Sequence, residues 1–247
     1  MKYMGSKNKY SKYIVPIIQK AINDNDVNLY IEPFVGGANL IDKIDCNKRI
    51  GYDKNKYLIA LLNQAKNDFK KIPKTCSKEE FEYAKELYKK QTSDELMDES
   101  IIGAYCFLGS YNSGGFIKGY AKSSEKRKYY QESYNNLYKQ HEKLKNIEFK
   151  VKDYTTIIPS DYNNVCFYLD PPYQNATKYG YSFENKFDYN FFWDWVRELS
   201  KNNIVFISEN SAPDDFKTIW KKDVIYQMNS GGNGPRKKNT EKLFIKA

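Results

Sequence analysis

The stretch NLYIEPFVGG, residues 28–37, runs from a short apolar segment into a proline and a pair of glycines. Residues 28–32 are typical of a buried strand, which Pro33 and the Gly36-Gly37 pair bring to an end. Glycine lets the backbone turn tightly and lie close to a ligand. Because open α/β sheets bind ligands beyond the carboxyl ends of their strands, this turn is a candidate ligand loop. An ordinary turn after a strand fits this short pattern equally well.

Strand and helix signals alternate on both sides of this loop, which predicts a parallel α/β sheet. Apolar residues at helical spacing predict helices over residues 11–21, 38–44 and 189–200, and another helix from residue 57. The predicted strands occupy residues 28–32, 49–53, 147–151, 165–169, 203–208, 224–227 and 242–245. We therefore expect one sheet domain formed by residues 1–63 and 147–247, split by a mostly helical insertion at residues 64–146.

Composition restricts the classes of function. The net charge of +9 and the aromatic content of 16% suit a polyanionic partner whose bases stack on rings, although an AT-rich genome explains the same bias. Four cysteines without a CxxC pair, and His141 as the single histidine, offer neither a zinc site nor a Ser-His or Cys-His dyad, so we expect no metal. No run approaches the ~18 apolar residues of a membrane span, and we expect a cytoplasmic protein.

Asp53 ends the second predicted strand, RIGYD, about 20 residues after the glycine loop. A carboxylate at this offset commonly accepts hydrogen bonds from ribose hydroxyls. A loop aspartate that caps the next helix is the plainer alternative. The glycine turn and Asp53 together indicate a cofactor that contains an adenosyl group, without saying which one.

The segment LDPPY, residues 169–173, is more specific. Asp170 directly follows a predicted strand, and Pro171 and Pro172 hold this point of the chain extended and stiff. The Asp170 carboxylate and the Pro171 carbonyl are then free to accept two hydrogen bonds beyond the sheet edge. Two acceptors suit an amino group with two N–H donors, and Tyr173 supplies a stacking face. This arrangement predicts recognition of the exocyclic amino group of a flat heterocycle such as a nucleobase.

Four motifs occur in the order found in Dam-type DNA adenine-N6 methyltransferases, and together they resemble that family. They are KYMGSK (residues 2–7), IEPFVGG (31–37), GYD (51–53) and LDPPY (169–173), and the tail NGPRKKNTEKLFIKA is similar to the family's C-terminal strand. The resemblance implies a Rossmann-like S-adenosylmethionine-dependent methyltransferase sheet, with the insertion as a target-recognition domain that carries a β-hairpin. It also implies S-adenosyl-L-methionine as the methyl donor, S-adenosyl-L-homocysteine as the product, and double-stranded DNA as the partner.

The same resemblance assigns roles to individual residues. The cofactor contacts that it implies are Tyr3 (where the family often has Trp), Lys7, Glu32, Pro33, Phe34, Gly36, Asp53 and Asp170. The catalytic segment is Asp170, Pro171, Pro172 and Tyr173. Adenine N6 is a poor nucleophile, and hydrogen bonds to Asp170 and the Pro171 carbonyl would localise its lone pair for in-line attack on the methyl group. The base must flip out of the duplex to reach this site, and Tyr173 would stack on it.

SYNSGGFIKGY, residues 110–120, resembles the family's DNA-reading hairpin. The DNA contacts that we expect are Ser110, Asn112, Lys118, Lys122 and Arg127, with Lys126 and Lys128 as further phosphate contacts or as parts of a solvated helix face. Members that methylate GATC generally carry Arg where Ser110 stands. Since Arg is best suited to bidentate recognition of guanine, we expect a site other than GATC, or one that is read less stringently.

Two other functions fit part of the pattern. Cytosine-N4 methyltransferases present the same two-donor amino group to the site but usually have Ser where this chain has Asp170, and glutamine methyltransferases favour Asn there. A DNA-binding module that kept the fold without catalysis is the second alternative. We expect the protein to act in the cytoplasm of a bacterial or phage-infected cell. The sequence leaves open the recognition site, a cognate restriction endonuclease and the oligomeric state.

Overall fold

A mainly parallel sheet with an antiparallel edge carries the fold. The computed structural model describes residues 1–124, 127–173, 187–227 and 236–247. Its strands are β1 (Leu29–Glu32), β2 (Lys48–Asp53), β3 (Ile147–Val151), β4 (Cys166–Leu169), β5 (Ile204–Glu209), β6 (Phe216–Gln227) and β7 (Arg236–Lys246). The described strands lie in the order β3-β2-β1-β4-β5-β7-β6. Strands β1 to β5 are parallel, and β7 runs antiparallel between β5 and β6. The predicted α/β class is therefore confirmed.

The strand order reverses between β1 and β4, which are neighbours in the sheet although far apart in sequence. Ile31 of β1 lies opposite Phe167 of β4, so both strands deliver their following residues to one edge. All four residues of β4 are buried, as expected of a parallel strand that is covered on both faces. Ligands of such sheets bind at this reversal point, beyond the carboxyl ends of the strands.

Helices cover both faces of the sheet. They are α1 (Ser11–Asp24), α2 (Lys56–Asn67), α3 (Lys78–Lys89), α4 (Glu99–Leu108), α5 (Tyr129–Leu144) and α6 (Tyr189–Leu199). Helix α1 forms because Ile14, Ile18 and Ile22 recur every four residues and make one apolar stripe, which is buried. Helices α1 to α5 share one hydrophobic core, and α6 packs in a second core on the opposite face.

The insertion is docked on the sheet through that shared core. Helix α2 runs continuously to Asn67, so the expected boundary after residue 63 falls inside a helix. Helix α4 lies so close to α2 that a Cβ atom on Gly103 would stand 2.1 Å from the Tyr57 carbonyl oxygen. Helix α3 begins at Ser77 with a capping box closed by Glu80. The predicted helical character of the insertion is therefore correct.

Two local predictions differ from the structure. Residues 38–44 contain only a 3-10 turn, Ile41–Lys43, instead of the predicted helix. The expected β-hairpin at residues 110–120 is a loop closed by one antiparallel bridge, between Ser110 and Tyr120, around two 3-10 turns. Positive φ angles at Asn112 (53°), Ser113 (51°) and Gly115 (77°) explain the difference, since extended strands require negative φ.

Candidate active site

Three acidic residues meet at the carboxyl edge of the sheet, each at the end of a different strand. Glu32 ends β1, Asp53 ends β2, and Asp170 directly follows β4. The parallel register explains why these residues converge, although they are widely separated in sequence. The structure therefore brings the predicted glycine loop, the predicted ribose ligand and the DPPY segment to one site.

Asp170 is held by Lys7 of the N-terminal motif. The Lys7 Nζ atom donates to Asp170 Oδ1 at 2.7 Å, and the two side chains are only 7% and 20% exposed. Burial raises the pKa of the Asp170 carboxyl above its ordinary value, while the Lys7 ammonium opposes that rise. The ammonium also lies 4.6 Å from the centre of the Tyr173 ring. Lys7 therefore favours the ionised, hydrogen-bond-accepting form of Asp170.

Tyr173 is fixed from its other end by a residue that the sequence analysis missed. Its hydroxyl donates to Glu241 Oε2 of β7 at 2.9 Å, and both side chains are buried. The expected stacking surface is thus mostly enclosed, because Tyr173 is 9% exposed and Lys7 lies over its ring. Pro171 is buried, whereas Pro172 is exposed and its carbonyl accepts a hydrogen bond from the Tyr189 hydroxyl. Contacts from Lys7, Tyr189 and Glu241 thus hold this segment, and residues 174–186, which follow it, lie outside the described residues.

The glycine loop forms a close-packed cradle. Gly36 has a φ of +48°, and a Cβ atom there would stand 2.8 Å from Cε1 of Tyr3. The Gly36 amide donates to Asp53 Oδ2 at 3.2 Å, and the Asn55 amide donates to Asp53 Oδ1 at 2.9 Å. Burial raises the pKa of Asp53, and these two amide donors oppose the rise. A carboxylate has about four lone-pair sites, so Asp53 keeps acceptor capacity for a ligand.

Glu32 has a different environment from the other two acids. It is 3% exposed and accepts a hydrogen bond from the Tyr30 hydroxyl at 2.9 Å. Burial raises the pKa of Glu32 well above its ordinary value, so Glu32 is more readily protonated than an exposed glutamate. Pro33, the next residue, is also buried. Both residues therefore shape the start of the loop from inside the protein.

An aromatic slot lies beside the loop on the α6 side of the sheet. The Phe34 ring lies 5.1 Å from that of Tyr154 and 6.2 Å from that of Phe187, measured between ring centroids. Asp153 precedes Tyr154 in sequence, just beyond the end of β3. The prediction included Phe34 but missed Tyr154 and Phe187. Asp153 follows the end of β3 much as Asp53 ends β2, and this acidic residue is the sequence signal that could have identified Tyr154.

Gln140 of helix α5 holds the far end of the glycine loop and was not predicted. Its buried side-chain amide donates to the Gly37 carbonyl at 3.2 Å, the Ala38 carbonyl at 2.8 Å and Asp42 Oδ2 at 3.0 Å. Its Oε1 atom accepts a hydrogen bond from the Met1 amino group. No local pattern distinguishes this glutamine from others on an amphipathic helix. Helix α5 therefore contributes directly to the glycine loop.

The predicted DNA contacts divide into buried and exposed residues. Ser110 is 3% exposed, and its hydroxyl accepts a hydrogen bond from the Gly115 amide at 2.9 Å, so it supports the loop from inside. Asn112, Lys118 and Lys122 are exposed. Arg127 is exposed, pairs with Glu132 at 3.3 Å and places its guanidinium 4.5 Å from the centre of the Tyr129 ring. Lys128 is exposed, and Lys126 lies outside the described residues.

The described ranges lack two further features. No helix in these ranges is long and apolar enough to cross a membrane. Within the same ranges, His, Cys, Asp and Glu side chains form no group of three or more that could hold a metal ion.

The reversed parallel sheet, with a glycine loop and acidic residues at neighbouring strand ends, defines an α/β protein of the Rossmann-like class. The chain belongs to the D12 class N6 adenine-specific DNA methyltransferase family, whose profile matches residues 3–230. It is 25% identical over 249 residues to the Type II methyltransferase M.MjaIII of Methanocaldococcus jannaschii, with 87% of this chain and 85% of that protein covered.

Two solved structures of the rRNA methyltransferase aviRa from Streptomyces viridochromogenes are also similar. Each is 9% identical, covers 97% of this chain and 84% of its own, and the TM-scores are 0.45 and 0.43. The family match confirms the predicted activity: this is a site-specific DNA methyltransferase that acts on adenine. The family also implies S-adenosylmethionine as the methyl donor and DNA as the substrate.

Proposed function

We propose that this protein methylates N6 of an adenine flipped out of duplex DNA, with Asp170 and the Pro171 carbonyl as the acceptors for the amino group. The observation that carries the assignment is the buried Lys7–Asp170 pair at the reversal point of the sheet, 2.7 Å between Nζ and Oδ1. A carboxylate paired with a lysine at a sheet edge, next to a stiff proline pair, is suited to accept hydrogen bonds from an exocyclic amine.

The residues around the glycine loop fit S-adenosylmethionine. Side chains at Gly36 and Gly37 would collide with Tyr3, because a Cβ atom on Gly37 would stand 2.7 Å from the Tyr3 Cβ. The two glycines therefore let Tyr3 pack directly on the loop backbone, which fixes the shape of the loop. Asp53 would accept hydrogen bonds from the ribose hydroxyls, and the Phe34 ring with Tyr154 would flank the adenine ring. Glu32 and Pro33 would support this loop from below, and Lys7 would act through Asp170.

The methyl donor, when bound, supplies an electrophilic sulfonium methyl group. The protein's part in the reaction is to place adenine N6 against Asp170 and Pro171, so that two N–H bonds are occupied and the lone pair is directed at the methyl carbon. Positioning and electrostatic stabilisation of this kind account for much of enzymatic rate enhancement. The Lys7 ammonium opposes protonation of Asp170, and the ionised form of the carboxylate would stabilise positive charge that develops on N6 during attack.

Base flipping is required because N6 lies inside the duplex. Tyr173, held by Glu241 and Lys7, would form a fixed wall beside the flipped base. The exposed residues Asn112 and Lys118 of the recognition loop would contact the groove and the backbone nearby. We therefore propose residues 64–146 as the target-recognition part of the molecule, with Ser110 as a structural support for its loop.

Substitution of Asp170 tests the catalytic assignment. Asp170→Asn keeps the size of the side chain but replaces the charged acceptor, and we expect kcat to fall by at least about 100-fold. Asp170→Ala should abolish methyl transfer as well. The far-UV circular dichroism spectrum and the thermal melt are the controls for folding, because Asp170 is itself an expected cofactor contact. A folded Asp170→Ala protein that retains wild-type activity would refute the assignment. Failure of the wild-type protein to bind S-adenosylmethionine would favour a non-catalytic DNA-binding module.

The recognition sequence is a separate proposal. With Ser110 buried where GATC-methylating relatives generally carry Arg, we propose a target other than GATC or a relaxed one. Methylome sequencing after expression in a methylation-free host reads the target directly, and exclusive GATC methylation would contradict the proposal. The same strain shows whether methylation protects DNA against a restriction endonuclease encoded beside the gene. We further propose a cytoplasmic location in a bacterial or phage-infected cell.

A further inference from the structure

A cleft of about 570 Å³ lies between the N-terminal segment, the end of the glycine loop, the recognition loop and helix α5. Asp170 and Asp53 do not line it, whereas Tyr3, which packs against the glycine loop, does. Its basic lining residues are Lys2, Lys9, Lys43, Arg127, Lys139 and Lys143. One acidic residue, Asp42, is among the lining side chains, so the cleft carries an excess of positive charge.

Three of these six cations form ion pairs within the protein. Lys43 pairs with Asp42 at 2.7 Å, while Lys2 and Arg127 share Glu132 at 2.6 and 3.3 Å. The other three, Lys9, Lys139 and Lys143, are exposed and form no ion pair with any described residue.

Lys139 and Lys143 stand one turn apart on the same face of α5. Like charges at i and i+4 destabilise a helix by about 0.2–0.5 kcal/mol. Lys143 lies in the last turn of α5, where a cation interacts favourably with the helix dipole. Lys139 and Lys9 lie outside that turn and gain no such stabilisation. An anion bound between the two lysines would remove their mutual repulsion.

Two residues that line the cleft, Asn39 and Ser113, carry buried polar atoms. Asn39 Nδ2 and Ser113 Oγ have no hydrogen-bond partner within the described part of the chain, although their residues are 8% and 1% exposed. The Asn39 amide is oriented, since its Oδ1 atom accepts from the Met1 amino group at 3.3 Å, which leaves Nδ2 as a donor. Buried polar groups normally have partners. Each atom exposes less than 1 Å² of surface, so both lie behind the cleft wall and the exposed lysines are the groups that a ligand reaches.

We propose that this cleft binds the phosphodiester backbone of duplex DNA, with Lys139 and Lys143 of α5 and Lys9 as the phosphate contacts. The inference rests on the proposed function, because the DNA that reaches Asp170 must pass the recognition loop that forms one wall of the cleft. Asn112, the exposed residue predicted to read DNA, lines the same cleft. A phosphate bound here would fix the register of the duplex without reading its sequence.

The salt dependence of DNA binding tests this assignment without knowledge of the recognition site. Affinities of the wild type, Lys139→Gln/Lys143→Gln and the control Lys48→Gln/Lys201→Gln are measured for a fluorescein-labelled 24-base-pair duplex by anisotropy. The control removes the same charge at the amino ends of the parallel strands, where Lys48 begins β2 and Lys201 lies between α6 and β5. Each lost phosphate contact lowers the slope of log K against log salt by about 0.9, so we expect a decrease of about 2 for the cleft variant.

We expect the control to keep the wild-type slope and Lys139→Arg/Lys143→Arg to restore it. An unchanged slope for the cleft variant, or an equal change in the control, would overturn the proposal. A change seen with single-stranded RNA but not with duplex DNA would overturn it as well. Failure of the proposed function is distinguishable, because it appears as absent adenine methylation in the wild type, whereas this test uses binding alone. All substituted lysines are exposed, and thermal melts verify that each variant folds.

Discussion

Replacement of Gln140 by leucine should loosen the cofactor loop from a distance. The side-chain amide of Gln140 serves the carbonyls of Gly37 and Ala38 and one oxygen of Asp42, at 3.2, 2.8 and 3.0 Å. Ala38 has a φ of 54°, a left-handed conformation that costs an L-residue roughly 1–2 kcal/mol and persists only when its surroundings hold it. Leucine fills a similar volume but cannot donate to any of the three oxygens.

The magnitude follows from these contacts. A buried acceptor that loses its donor costs roughly 1–3 kcal/mol. Asp42 keeps Lys43 at 2.7 Å, so we count mainly the two carbonyls and expect a loss of about 2–6 kcal/mol in the free energy of unfolding. If about 1.4 kcal/mol of this acts on the loop, the affinity for S-adenosylmethionine falls about tenfold. Because Gln140 does not contact the reacting atoms, KM for the cofactor should rise while kcat changes little.

Urea denaturation measures the first quantity, and calorimetry with S-adenosylmethionine measures the second. Gln131→Leu is the matched control, since Gln131 lies exposed on the same helix and its amide contacts only the Asn135 side chain, at 2.9 Å, among the described hydrogen bonds. Gln131→Leu should match the wild type in both assays. Unchanged cofactor affinity in a destabilised Gln140→Leu protein would refute the positioning role, and unchanged stability would refute the contact itself.

Two further predictions concern the catalytic segment. Lys7→Met removes the charge that opposes protonation of Asp170, so the pKa of Asp170 should rise. The acid limb of the kcat–pH profile should then move to higher pH. Transfer of a radiolabelled methyl group to DNA measures this profile. A shift to lower pH, or none, would contradict the role of the pair. Tyr173→Phe removes the buried hydrogen bond to Glu241 and should lower the free energy of unfolding in urea by about 1–3 kcal/mol. Stability equal to that of the wild type would show that the hydroxyl has no structural role.

The parallel part of the fold was predictable from local patterns because each strand carries its own signal. Segments such as LYIE and CFYL are short, apolar and followed by turn residues, and parallel strands need no detailed partner information to be identified. The long β6–β7 pair was predicted only as two short segments. Its alternating lysines and polar residues give no continuous apolar run, and its pairing, from Phe216 opposite Lys246 to Gln227 opposite Arg236, depends on the hairpin as a whole.

The candidate site was predictable where it follows strand ends and unpredictable where tertiary packing forms it. Asp53 and Asp170 are marked by their position after strands. Gln140 lies on α5 and Glu241 on β7, and no local pattern distinguishes either from other polar residues of these elements. Ser110 shows the opposite error: its neighbours resemble a DNA-reading segment, but the left-handed backbone at Asn112 and Ser113 turns its hydroxyl inward to Gly115.

Helix α5 contacts both ligand-binding regions through consecutive residues. Lys139 faces the cleft proposed for the DNA backbone, and Gln140 bonds the carbonyls that end the glycine loop. A helix moves as a unit, so a displacement of α5 by DNA acts on the loop as well. By thermodynamic linkage, if DNA changes the affinity for the cofactor by some factor, the cofactor changes the affinity for DNA by the same factor. Removal of the Gln140 contacts should therefore reduce both effects equally, whereas removal of Lys139 weakens DNA binding at every cofactor concentration.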